Sequence, residues 1–93
     1  MDIRRMKLAL TVDLMNLSLP QNPLLMAQKV MDRFRSEVGK FKGLFLTEKS
    51  AINYSFERQM AALQFERCTL SLELVTDIKS QVQYIQGFEL KPI

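Results

Sequence analysis

The chain has 93 residues, 47% apolar and 25% charged, and its 13 Lys plus Arg against 10 Asp plus Glu leave a net charge of +3. That balance suits a single domain over residues 1–93 and excludes a disordered tail, a collagen-like repeat and a disulfide mini-protein. With no His and one Cys, most metal sites and most nucleophile–base pairs are excluded too.

Cys68 alone cannot form an intrachain disulfide, so nothing in the chain depends on an oxidising compartment. Arg4, Arg5 and Lys7 precede an apolar stretch, but Asp13 and Asn16 interrupt it and no small-residue cleavage site follows. No window approaches the ~18 apolar residues of a membrane span. The expectation is an intact cytoplasmic protein with no membrane partner.

Taken in chain order, Met6, Leu8, Leu10, Val12 and Leu14 fall on one parity, with Lys7, Thr11 and Asp13 on the other. This alternation predicts a long strand over residues 4–16 with one buried face. Asn22-Pro23 then supplies a capping oxygen followed by a residue whose fixed φ suits a first helical turn. Leu24, Ala27, Met31, Phe34 and Val38 recur at helical spacing, and Gly39 with Lys40 forms a C-terminal signal, predicting one long helix over 23–38.

The run Gly43 to Leu46 and the alternation of Ile52, Tyr54 and Phe56 predict a hairpin turning at Lys49-Ser50. Residues 56–67 stay open. They are rich in helix formers with Phe56, Met60 and Leu63 on one helical face, yet read equally as strand turning near Arg58. Leu70, Leu72 and Leu74 alternate with polar neighbours, and after a break at 76–80 Val82, Tyr84, Phe88 and Leu90 share a second parity. The sum is an α+β domain, a mostly antiparallel sheet of about four or five strands with one long helix on one face. Its layout is ferredoxin-like if 56–67 is helical and cystatin-like if it is strand; both layouts host many unrelated functions.

Catalytic patterns are sparse. Gly39, Gly43 and Gly87 are too dispersed to cradle a phosphate. Glu89-Leu90-Lys91, with Asp77 upstream, has the E-x-K spacing of some metal-dependent nucleases, but alternating charges on a wet strand face give the same spacing. Cys68 reads as a small buried hydrophobe, since no His is present to activate it. Neither enzymatic activity nor a cofactor is expected.

Two surfaces are candidates for binding. Lys29, Arg33 and Lys40 follow one another along the helix, and with Arg4 and Arg5 near the N-terminus they are candidate phosphate contacts, interrupted by Asp32 and Glu37. Tyr54, Phe56, Phe65 and Tyr84 would add an aromatic sheet face, as in single-strand binders, although core positions give the same parity. Of the methionines, Met6, Met15, Met26, Met31 and Met60 read mostly as core filling. Leu25, Met26 and Val30 widen the apolar arc of the helix beyond what a small sheet covers, and form a candidate interface. Unpaired sheet edges point the same way. The leading expectation is a small non-enzymatic protein-binding or scaffolding module that acts as a homo-oligomer, its partners being itself and another protein. The alternative is a nucleic-acid-binding protein using the basic helix face and arm.

Overall fold

The computed structural model of the chain describes residues 2–15 and 22–93. Its first element is a helix, α1 (Ile3–Leu10), continued by a π-helical turn over Thr11–Met15. The strand expected over 4–16 is therefore overturned. A period of two contains a period of four, and Met6, Leu10 and Leu14 are the buried residues while Leu8 is 64% and Val12 54% exposed. Arg, Met, Lys, Leu and Ala are strong helix formers and tip the choice. Asp2 caps the first turn, its carboxylate accepting from the Arg5 N–H at 3.1 Å. Asn16, the last residue of the expected strand, lies outside the described residues, as does the Met15 side chain.

α2 (Pro23–Asp32) begins where the sequence places it, with Asn22 Oδ1 accepting from the Leu24 and Leu25 N–H groups at 3.1 and 3.2 Å. The single helix expected over 23–38 is instead interrupted. Arg33 and Phe34 donate to the carbonyls three residues back, at 3.1 and 3.0 Å, before α3 (Arg35–Val38) resumes. That tighter turn re-aims the chain. Phe34 and Val38 both remain in the core despite the break. Gly39 ends α3 at φ +83°, a conformation that favours glycine.

The rest of the chain is sheet: β1 (Phe41–Leu46), β2 (Ser50–Ala51), β3 (Phe56–Phe65), β4 (Cys68–Asp77) and β5 (Gln83–Pro92). All pairings are antiparallel, in the order β1-β3-β4-β5 with β2 also beside β3. Residues 56–65 are thus strand. The hairpin reverses at 52–56 rather than at Lys49-Ser50, because Asn53 Oδ1 accepts from the Ser55 and Phe56 N–H groups at 2.8 and 3.0 Å. Neither the ferredoxin-like nor the cystatin-like layout is confirmed, since among the described residues no strand precedes the helices.

Cys68, Leu70, Leu72 and Leu74 are buried along β4, as their alternation requires. They lie opposite Leu63 and Ala61 of β3 and opposite Leu90, Phe88 and Ile85 of β5. A bulge at Gln86 switches parity in β5, with Glu73 facing Gly87 and Leu74 facing Ile85. Tyr84 therefore points away from Phe88 and Leu90, correcting the shared parity expected of them. Met6, Leu10, Leu14, Met31, Phe34 and Val38 join this one cluster from the helical side. All the helices consequently cover the same face. The shortest dimension, 17 Å, fits one helical layer on one sheet. Among the described residues no helix is long and apolar enough to cross a membrane.

Candidate interaction surface

The sequence-predicted cations do not assemble into a line. Arg33 forms an ion pair with Asp13 of the π-helical turn. Arg5 bonds Glu37 Oε2 at 3.3 Å and lies 5.2 Å above the Phe34 ring, so it clamps α1 onto α3. Arg4, Lys29 and Lys40 are exposed, but the break at 33–34 separates Lys29 from Lys40. The candidate interface residues part company as well. Val30 is buried in the core, Met26 is half-buried against it, and only Leu25 stays exposed.

The end of α3 is tied to the β3–β4 turn by polar groups. Arg67 Nη1 donates to the Glu37 carbonyl at 3.1 Å, and the Lys40 N–H donates to Glu66 Oε1 at 2.7 Å. That backbone bond holds the Glu66 carboxyl below the ordinary carboxylate range, helped by the nearby charges of Arg67, Lys40 and Lys42 and opposed by desolvation. This corner is structural.

The E-x-K pattern does not close into a metal site. Glu89 and Lys91 pair with each other at 3.7 Å on the exposed side of β5. Glu89 stands opposite Ser71, whereas Asp77 lies six residues further along β4, roughly 20 Å away at ~3.3 Å per residue. Asp77 instead caps the β4–β5 turn, accepting from the Lys79 N–H at 3.0 Å. Among the described residues no group of three or more His, Cys, Asp or Glu could hold a metal ion. Burial pushes the Cys68 thiol pKa up, which leaves it a poor nucleophile.

The expected aromatic face also divides. Phe65 is buried on the helical side, Tyr54 stands in the 52–56 turn, and Phe56 and Tyr84 lie on the sheet face that carries no helix. Of the residues on that bare face, the sequence singles out only Phe56 and Tyr84 as a binding face; Phe45, Arg58, Glu73 and Val75 join them in the structure. Strand register places Phe45 opposite Ala62, Met60 opposite Glu73, and Val75 between Arg58 and Tyr84. Arg58 bridges to Glu73 at 2.9 Å across the strands, on the same face as these apolar groups. A shallow hollow of about 350 Å³ opens between Phe56, Val75, Tyr84 and Gln86. Nothing stands over Gly87, so the surface dips at the bulge. The available signal was the second parity of β4: Ser71, Glu73 and Val75 between the leucines give a half-polar face.

β1 is bare on both sides. The helical layer packs toward β5, and Phe41, Leu44 and Leu46 on the helical side are exposed along with Phe45 on the other. No protein-family model, curated protein or solved structure matches the chain.

Proposed function

We propose that the protein is a small non-enzymatic protein-binding or scaffolding module that acts as a homo-oligomer in the cytoplasm. The observation that carries this reading is the uncovered sheet face, with Phe45, Met60, Val75 and Tyr84 set around the Arg58–Glu73 pair. Apolar groups around a satisfied ion pair suit a protein partner, which gains by removing the apolar area from water and meets no unpaired charge. Three ten-residue strands beside the six-residue β1 span at most roughly 33 by 19 Å, or under about 600 Å² of flat surface. A standard interface needs about 800 Å² from each side. One copy falls short of that, and two copies side by side exceed it. Homo-oligomerisation therefore supplies the platform that a partner requires. The buried, solitary thiol supports the cytoplasmic placement.

Size-exclusion chromatography with light scattering, at two salt concentrations and with and without an oligonucleotide, tests the reading. The expected result is a mass above that of a single chain at high micromolar concentration, little changed by salt and unchanged by the oligonucleotide. A single-chain mass throughout would contradict it. So would an oligonucleotide complex whose affinity falls with salt at a log–log slope steeper than about −3, the mark of several phosphate contacts.

A further inference from the structure

We infer that two copies join along β1, antiparallel and centred on Phe45, so that their sheets run on as one and their bare faces form a single platform. The inference rests on the homo-oligomer reading and names the contact that builds it. The Thr47 N–H donates to the Met60 carbonyl at 2.9 Å, so Thr47 turns its main-chain groups toward β3. By the two-residue period Phe45 does the same, and the N–H and C=O groups of Leu44 and Leu46 point outward from the edge.

A second copy related by a two-fold axis through Phe45 sets Leu44 opposite the other chain's Leu46, and Leu46 opposite its Leu44. The outward groups of these residues then meet as hydrogen-bonded pairs. Phe45 meets its own counterpart in the closer, non-hydrogen-bonded position. Each pair also shares a sheet face, as direct antiparallel partners must: Leu44 and Leu46 pair with Leu63 and Ala61 on the helical side, and Phe45 with Ala62 on the bare side. Counted on past the end of β1 at Leu46 and to the bulge at Lys42, the same alignment brings Lys42 toward Glu48 of the other copy, once on each side of the axis. Two opposite-charge contacts thus flank an apolar centre.

The opposite edge of the sheet lacks these properties. β5 is blunted by the bulge at Gln86, by Glu89 and Lys91, and by Pro92. β1 has a bulge too, at Lys42 between Phe41 and Gly43, but it lies outside 44–46, where Phe45 and Leu46 stand at 56% and 51% exposure with no such protection. An apolar edge left open in this way is a template for another strand, and the residues 44–46 are complementary to themselves. The contact is short, so the pair exchanges with single chains rather than forming a permanent dimer.

Cysteine cross-linking under mild oxidation tests the register. Phe45→Cys places two thiols in the close pair, with Cα atoms about 4.5 Å apart and within disulfide reach. Leu44→Cys places them on a diagonal about 7–8 Å apart, at the limit of that reach. Cys68 is fully buried and serves as a silent background. We expect Phe45→Cys to yield a disulfide-linked dimer at least about tenfold faster than Leu44→Cys, with Tyr84→Cys as slow as the latter. Circular dichroism on each variant establishes that the fold is retained. A charge pair supplies the second test: Glu48→Lys should lower the dimer fraction, and Lys42→Glu combined with Glu48→Lys should restore it. Equal cross-linking at positions 44 and 45, or fastest cross-linking at Tyr84→Cys, would overturn this register and leave the homo-oligomer reading standing. Single chains in light scattering with no cross-link at any position would overturn both.

Discussion

The two faces of the sheet come from the same strands and have opposite fates. On β4, Leu70, Leu72 and Leu74 point to the helices and are almost wholly buried, while Ser71, Glu73 and Val75, one residue away, look onto open surface. The covered face is uniformly aliphatic and closes with Met6, Leu10, Met31 and Phe34 into one cluster. The bare face mixes apolar groups with a bridged Arg58 and Glu73. A face that only had to meet water would not need Phe45, Met60 and Tyr84, and a face that only had to hold a core would exclude the charges. The fold is thus carried by one side of the sheet, and the other side is left without a covering layer.

The contrast can be tested where its consequences are greatest. Phe34→Ala, on the covered side, should lower unfolding free energy by about 3–5 kcal/mol in chemical denaturation, because a buried aromatic and its cation contact are both lost. Gly39→Ala should cost about 1–3 kcal/mol in the same assay. Its φ is +83°, and an added Cβ would stand 2.7 Å from the Glu66 Cβ. On the bare side Tyr84→Ser, at a residue 49% exposed, should change stability by no more than about 0.5 kcal/mol. A loss above 2 kcal/mol there would show that the bare face holds the fold together. The smallest effect concerns pH. The Lys40 N–H lowers the Glu66 pKa, so its contribution to stability is present above the ordinary carboxylate value and lost as pH falls through the lowered one. Glu66→Gln should therefore lower the denaturation midpoint slightly at neutral pH and flatten its acid limb below about pH 4.3, so that the two profiles converge in acid.

Much of the sheet was legible in the chain, because the leucines of β4 alternate without interruption and only one face of it could be buried. The cap at Asn22 and the stop at Gly39 were legible for similarly local reasons. The N-terminal helix was not. Met6, Leu10 and Leu14 satisfy a strand period and a helical one together, and the deciding fact, that Leu8 and Val12 face outward, is set by tertiary packing. The break at Arg33–Phe34 was hidden because the apolar spacing continues through it and both Phe34 and Val38 stay buried. Tyr84 was assigned to the wrong face because a bulge carries no strong sequence mark except Gly87 beside it. The bare face was hard to read because Ser71, Glu73 and Val75 form only a half-polar alternation, whereas the cations that stand out in the sequence include Arg5 and Arg33, which the structure ties to Glu37 and Asp13.

Contact between copies along the β1 edge is tested most directly by amide NMR spectra recorded across a concentration series. Resonances of Leu44, Phe45 and Leu46, with Lys42 and Glu48 beside them, should shift or broaden as concentration rises, while those of Leu25, Lys29 and Arg33 on the helical layer stay fixed. Shifts confined to the helical layer, or spectra independent of concentration up to the millimolar range, would contradict it.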